Sequence, residues 1–302
     1  MTIAKSPVLL LIFNRPDTTM KVLESIRQYA PEKLYIACDG PRLDLGDEEN
    51  VQIKKLQQAV IKGVNWPCSV RTLFRPENLG CQHAVTQAID WFFTHENQGI
   101  ILEDDCVPCP DFYPYCSLLL DKYKEESKIY HISGDNFINT QGNSNQYFFT
   151  RYTHGWGWAT WKRAWQEFHL DFPGLSEFIS QQGFAKLFPD TEMQQFWIRK
   201  FQQVQAGEII AWDYQWTYTI FRKQGLSIQP GVNLVTNIGF GEGAVNMKGT
   251  RHPLGFLPTG SLDINTLSGP SVLEPNIQHE NKEFRVAFRP PLWTRIKQKL
   301  NL

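Results

Sequence analysis

Glu103, Asp104 and Asp105 follow directly on Ile100, Ile101 and Leu102, so that an apolar run ends in three consecutive carboxylates. Such a cluster repels itself unless positive charge sits against it, and a hard divalent cation held through oxygen is the usual answer. A solvated acidic turn is the plain alternative. Position favours chemistry, because the run has the length and composition of a buried strand and open α/β sheets bind ligands beyond the carboxyl ends of their strands. Cys106 and Cys109 form a CxxC pair just after the acids. Nothing else in the sequence supplies the remaining two ligands of a zinc site at suitable spacing, so the pair does not suggest a metal centre.

The elements that must carry the acids alternate between two periods. Val8 to Phe13 is a continuous apolar run suited to a strand covered on both faces, and Asp17 is placed to cap a helix with Met20, Leu23 and Ile26 on one side. Leu34 to Cys38 is a second strand, ending at Asp39 and Gly40. The spacing predicts a helix over 47–62 with Val51, Leu56 and Val60 inward and Gly63 as its stop. Ser69 to Phe74 is a third strand, and Gly80 to His95 a helix with Ala84, Ala88 and Trp91 on its apolar side. The strand that ends in the acids comes next, then a helix over 111–126 and a strand over 129–133. This alternation predicts an α/β fold with a doubly wound, mainly parallel sheet and helices on both faces.

Composition narrows the partners. With 302 residues, 20% charged residues and a formal net charge of −1, the chain has no global field to steer it to nucleic acid. Neither GxGxxG after the first strand nor GxxxxGK[ST] occurs, which weakens ordinary dinucleotide or P-loop binding. The first apolar run is too short for a signal or membrane helix, so a soluble, cytoplasmic protein with reduced cysteines is expected. Ten Trp, ten Tyr and twenty Phe make up 13% of the chain, and seven of those Trp fall between 156 and 216. Such rings build cores first and sugar clefts second. From about 150 the texture turns aromatic-rich, then turn-rich from Gly231 to Gly260, with a mobile loop expected between Gly239 and His252. The end, 284–302, is basic and amphipathic: it could lie on the anionic inner face of a membrane, although a basic helix packed on the domain or a frayed terminus is the preferred alternative.

Four segments together resemble nucleotide-sugar glycosyltransferases of the GT-A fold: Pro7-Val8-Leu9-Leu10-Leu11-Ile12-Phe13-Asn14-Arg15, Ile36-Ala37-Cys38-Asp39-Gly40, Pro76-Glu77-Asn78-Leu79-Gly80 and Leu102-Glu103-Asp104-Asp105. The acids followed by Val107-Pro108 and Pro110-Asp111-Phe112 are most similar to the N-acetylglucosaminyltransferase I family, with likeness also to family 2-like bacterial enzymes. The resemblance covers about residues 7–245. It implies a nucleotide-sugar-binding half (1–135), an acceptor-binding half carrying the catalytic base (136–283) and the basic tail (284–302).

It also implies roles. Asp105, as the last acid, would hold Mn²⁺ or Mg²⁺; Asp104 would face the donor, and Glu103 the sugar, a structural carboxylate being the even alternative. Asp39 resembles the acid that reads a uracil ring, and Arg15 is the matching candidate for the nucleotide or its diphosphate, against the plain reading of a surface arginine. Arg42 and Arg75 are similar in position and weaker in claim. A base must take the acceptor's proton in an inverting transfer. Asp213, in Ala211-Trp212-Asp213-Tyr214, resembles the family's Trp-Asp pair, against a helix cap as its plain reading. The upstream motif is His154-Gly155-Trp156-Gly157-Trp158, about fifty-five residues before Asp213 and farther than the family pattern places it. Asp135 is the reserve base or an acceptor contact, and His154, Trp156 and Trp158 are acceptor candidates, the Trp pair being equally a core wall. His252 is left out of the metal site.

The function these readings imply is a metal-dependent, inverting transfer of a sugar, N-acetylglucosamine first, from a UDP-sugar to a hydroxyl on a glycan, a lipid-linked sugar or another acceptor. The rivals are a sugar nucleotidyltransferase, which would need a glycine-rich basic loop where Asn14-Arg15-Pro16-Asp17 stands, and a non-catalytic carbohydrate-binding protein using the Trp cluster.

Overall fold

A computed structural model describes residues 4–43, 46–139, 141–240 and 254–289. Five apolar residues form β1 (Val8–Ile12), buried on both faces. Pro16 opens α1 (Pro16–Tyr29), where its fixed φ and missing N–H are harmless; Asp17 falls inside the first turn and Arg15 is the residue before the helix, so Asp17 is not its cap. β2 (Lys33–Cys38), α2 (Gly46–Gly63), β3 (Ser69–Phe74), α3 (Gly80–His95) and β4 (Gln98–Glu103) follow in the expected alternation. After the acids come β5 (Cys106–Pro108), α4 (Phe112–Lys122) and β6 (Ile129–Ser133).

The second half returns to the same sheet. β7 (Asn143–Ser144) is a short outlier; β8 (Tyr147–Thr150), β9 (Trp158–Trp161) and β10 (Leu226–Pro230) join the main sheet. Between β9 and β10 lie α5 (Lys162–Trp165), α6 (Leu175–Ser180), α7 (Gly183–Leu187), α8 (Thr191–Gln205) and α9 (Asp213–Arg222). β11 (Val235–Asn237) pairs with β5, β12 (Ser261–Leu262) with β7, and α10 (Ile277–Glu283) runs into a single wide helical turn over Phe284–Phe288.

The eight-stranded sheet has the order β3-β2-β1-β4-β9-β6-β10-β8. β1 to β4 are mutually parallel, β9 runs antiparallel between β4 and β6, β10 is parallel to β6, and β8 closes the far edge antiparallel. Alternate residues serve opposite faces. Val8, Leu10 and Ile12 pack with α1, α2 and α4, whereas Leu9 and Leu11 pack with α3, Trp158 and α9. A third apolar cluster, away from the strands of the first half, joins Tyr152, α6 to α9 and Phe284.

The helices sit where the periodicity put them, and Leu23, Ile26, Leu56 and Val60 face inward as expected. Met20 and Val51 are exposed, and Val22 and Ile53 are buried in their place. In α3 Ala88 is buried as expected, but Val85, Ile89, Phe92 and Phe93 dominate and Trp91 is only half-buried. In each case the larger contiguous apolar stripe turns to the sheet. The start of the basic tail packs on the domain: Phe284 is buried, and Arg289 makes a two-pronged ion pair with Glu192 of α8 at 3.1 and 3.0 Å. Residues 290–302 of that tail lie outside the described residues, as do 241–253, which include most of the expected mobile loop and His252. Among the described residues no helix is long and apolar enough to cross a membrane.

Candidate active site

The strand order reverses beside β1: β2 and β3 lie to one side and β4 to the other. Crevices at such switch points are where open α/β sheets take their ligands. Arg15 leaves the end of β1 and Asp104 and Asp105 leave the end of β4, so charge of both signs meets there. Arg15 Nη1 lies 2.6 Å from Asp105 Oδ2 and 3.8 Å from Asp104 Oδ1. The backbone amide of Phe13 donates to Asp104 Oδ2 at 3.3 Å, tying the two strand ends together.

The turn after β4 is held by the β5–β11 ladder and, just beyond it, by the Ile238 amide, which donates to the carbonyl of Asp105 at 2.8 Å. Gly239 comes so close that a Cβ there would sit 2.0 Å from Asp105 Oδ2. The carboxylate therefore has a cradle that any side chain would fill. Burial raises the carboxyl of Asp104 to about 7, against the pull of Arg15; burial and the adjoining acids Asp105, Asp104 and Asp213 raise Glu103 to about 8.

No three metal-ligating side chains converge among the described residues. What the crevice offers is one or two carboxylates, already facing a cationic nitrogen. That donor set fits Mg²⁺ or Mn²⁺ of the kind that keeps water and takes phosphate oxygens to complete its shell, with Asp105, and Asp104 beside it, as the protein's share.

Asp39 ends β2 and clamps the neighbouring turn. Its Oδ1 accepts from Gly40 N (2.9 Å) and Leu79 N (3.0 Å), and its Oδ2 from Gly80 N (3.1 Å). Asn78 Nδ2 in turn donates to the carbonyl of Gly40 at 2.9 Å. A Cβ on Gly40 would meet the backbone of Glu77 at 2.3 Å, so only glycine allows this approach. A carboxylate has about four acceptor sites, so this clamp leaves Asp39 room for one more donor. Arg42 pairs with the buried Glu49 of α2 at 2.5 Å, and Glu49 also accepts from Asn14 Nδ2 at 2.9 Å; both buttress the chain after β1.

Asp213 reaches the same crevice from the other half. It is the first residue of α9, with Trp212 in the capping position, so it is not the helix cap. Gln82 Nε2 of α3 donates to the carbonyl of Ala211 at 2.7 Å and ties this segment to α3. Burial, with the charges of Glu103 and Asp213 added, pushes the Cys81 thiol up to about 12, and Asp213 also bears on Glu103 itself. The Asp213 side chain is open to solvent, yet surrounding protein raises its carboxyl above the usual range while backbone amides of Asp213 and Tyr214 pull it back.

Three expected acceptor contacts are corrected. Trp158 has no free face: it is fully buried, stacked on His131 at 5.0 Å and Trp212 at 5.6 Å. Asp135 and His154 are buried behind the crevice, closed off by α10, which brings Glu283 to 3.0 Å from His154 Nε2. Trp156 remains half-buried, edge-on to Phe137 and Phe240. Gln82, Cys81, Glu49, His131 and Glu283 escaped notice in the sequence. Cys81 adjoins the Pro76 to Gly80 segment and was within reach, while nothing marked Glu283 in the stretch before the tail.

No protein-family model matches the chain, and no curated protein does. Among solved structures it is similar to HddC from Yersinia pseudotuberculosis, at 12% identity over 52% of this chain and 77% of that one, with a TM-score of 0.28. It is also similar to the glycosyltransferase GlyE of Streptococcus pneumoniae TIGR4, at 12% identity over 74% of this chain, with a TM-score of 0.34. The apo form of GlyE gives 13% identity and a TM-score of 0.32. The chain spans 45% of the GlyE length. Likenesses this slight say nothing about activity, and the chemistry rests on the crevice itself.

Proposed function

We propose that this chain is a metal-dependent, inverting glycosyltransferase that moves a sugar from a UDP-sugar to an acceptor hydroxyl, with UDP-N-acetylglucosamine as the first donor to test. The observation that carries the reading is the meeting of two kinds of carboxylate in one cleft: Asp104 and Asp105 beside Arg15 at the switch point of the sheet, and Asp213 across from Glu103 at the head of α9. The first set suits a diphosphate leaving group and the second an attacking hydroxyl. One set without the other would support only binding.

In this reading Arg15 turns from Asp105 to the diphosphate, two N–H groups matching two oxygens. A divalent cation bound at Asp105 would supply further stabilisation of the negative charge that builds on the leaving diphosphate. The free acceptor site of Asp39 receives the imide N–H of uracil, an N–H that purines do not offer in that place. Asp213 takes the proton of the acceptor hydroxyl as its oxygen attacks the anomeric carbon; a carboxylate whose pKa is raised is a better base than an ordinary aspartate. Trp156, half-open beside Phe240, is the aromatic face left for the acceptor.

A screen of nucleotide sugars for Mn²⁺-dependent hydrolysis or transfer tests the reading. UDP-sugars should be turned over and purine nucleotide sugars should not. Turnover unchanged by chelation or by Asp105→Ala would remove the metal and its ligand from the reading.

A further inference from the structure

Behind Asp213 lies a buried cluster of titratable groups. His154 Nε2 lies 3.0 Å from Glu283 Oε1, and His279 Nε2 lies 3.9 Å from Glu283 Oε2. Gln229 Nε2 donates to Glu283 Oε1 at 2.7 Å. Asp135 is fully buried with neither carboxylate oxygen hydrogen-bonded. The imidazole of His154 sits edge-on to Phe137 and stacks on Phe288. A buried cluster with four titratable groups needs a net arrangement, and an unpaired carboxylate beside a histidine is tolerated when that histidine is a cation.

The segment carrying His154 is bolted to the first turns of α9. Thr153 Oγ1 hydrogen-bonds Thr217 Oγ1 at 2.5 Å, and Thr217 Oγ1 donates to the carbonyl of Asp213 at 3.0 Å. His131 Nε2 lies 3.1 Å from the carbonyl of His154 while its Nδ1 accepts from Trp216 Nε1 at 3.1 Å. A Cβ on Gly155 would lie 3.6 Å from the Trp212 ring. His154 is therefore fixed relative to the helix start that presents Asp213.

We propose that His154 is a positioning residue held as an imidazolium between Glu283 and Asp135, and that its charge keeps Asp213 ionised, making α10 part of the apparatus that sets the base. The consequence for catalysis rests on the glycosyltransferase reading; the electrostatic link does not. Groups facing His154 are Asp135, Glu283, His279, His131 and Asp213, and those facing Asp213 are Glu103, Cys81, Tyr214 and His154. Burial disfavours the imidazolium, but Asp135 and Glu283 outweigh it and raise His154 to about 9; burial holds His131 down at about 3 and also lowers His279, so those two stay neutral.

The test is a direct titration, independent of turnover. Carboxyl ¹³C and imidazole ¹⁵N signals of the full chain, with Asp213 assigned through Asp213→Asn, are followed from pH 4 to 10 in wild type, Glu283→Gln and His154→Gln. The expected result is a charged His154 at pH 7 in wild type, with the Asp213 midpoint moved up by about one pH unit in both variants. If either variant does not fold, the wild-type curves still decide, because coupled groups must each shift as the other titrates. A neutral His154 at pH 7, or an Asp213 midpoint indifferent to His154, overturns the proposal. Absence of sugar transfer by wild type would count against the glycosyltransferase reading alone.

Discussion

The two sets of acids in this molecule are built in opposite ways. At the switch point Asp39, Asp104 and Asp105 stand at strand ends, and their partners are backbone amides and one partly exposed arginine, Arg15. In the second half Glu280 and Glu283, one helical turn apart on α10, are buried: Glu280 accepts from Thr150, from the Arg151 amide and from the Arg151 guanidinium, and Glu283 from Gln229. In the first arrangement Arg15, partly exposed, is able to exchange Asp105 for another partner. The second fixes its charges, and spends its electrostatics on structure and on the groups behind Asp213. Exchangeable ion pairs belong where substrate binds; fixed ones belong where a helix must be held in register.

That contrast sets an order of effects on stability. Glu280→Ala leaves the buried Arg151 guanidinium uncompensated and is expected to destabilise by about 3–5 kcal/mol in a denaturant titration; a loss under about 1 kcal/mol would mean that α10 is not held by this pair. Asp39→Ala removes the acceptor for three backbone amides and should cost about 1–3 kcal/mol, together with UDP affinity. Arg15→Gln lies at the other end. Its pair is partly exposed, so stability should change by about 1 kcal/mol or less while affinity for UDP falls by an order of magnitude or more, read by calorimetry. A large stability loss in Arg15→Gln would place it with the fixed pairs.

A pH series separates the regions further. His154 has its folded pKa raised above the unfolded value, so its stabilisation is whole below about 6.5 and is lost as pH rises towards about 9. Glu283 is lowered, because His154 outweighs burial, and its share is lost only in acid. The thermal midpoint should therefore fall between about pH 6.5 and 9, and the slope should flatten in Glu283→Gln. An unaltered slope in that variant would detach Glu283 from His154.

The same contrast explains what the sequence made legible. The switch-point edge is local: Arg15, Asp39 and the acids each end an apolar run, and strand order alone brings them together. The buried cluster draws on residues 131, 135, 154, 229 and 283, and its members look in sequence like scattered polar residues. His154 and Asp135 read in the sequence as acceptor contacts, Asp135 also as a reserve base, because no pattern in the chain announces that α10 closes over them. Trp158 failed for the same reason: an aromatic beside glycines offers a sugar platform only if nothing stacks on it, and here Trp212 does.

Titration of UDP into Asp213→Asn and Asp105→Ala, with and without Mn²⁺, bears most directly on the division of labour across the cleft. Asp213→Asn should bind UDP with wild-type affinity and wild-type dependence on Mn²⁺ while transferring sugar at least about 10²-fold more slowly. Asp105→Ala should lose the Mn²⁺ dependence. Retention of that dependence in Asp105→Ala, or wild-type transfer by Asp213→Asn, would show that the two carboxylate sets do not divide donor and acceptor between them.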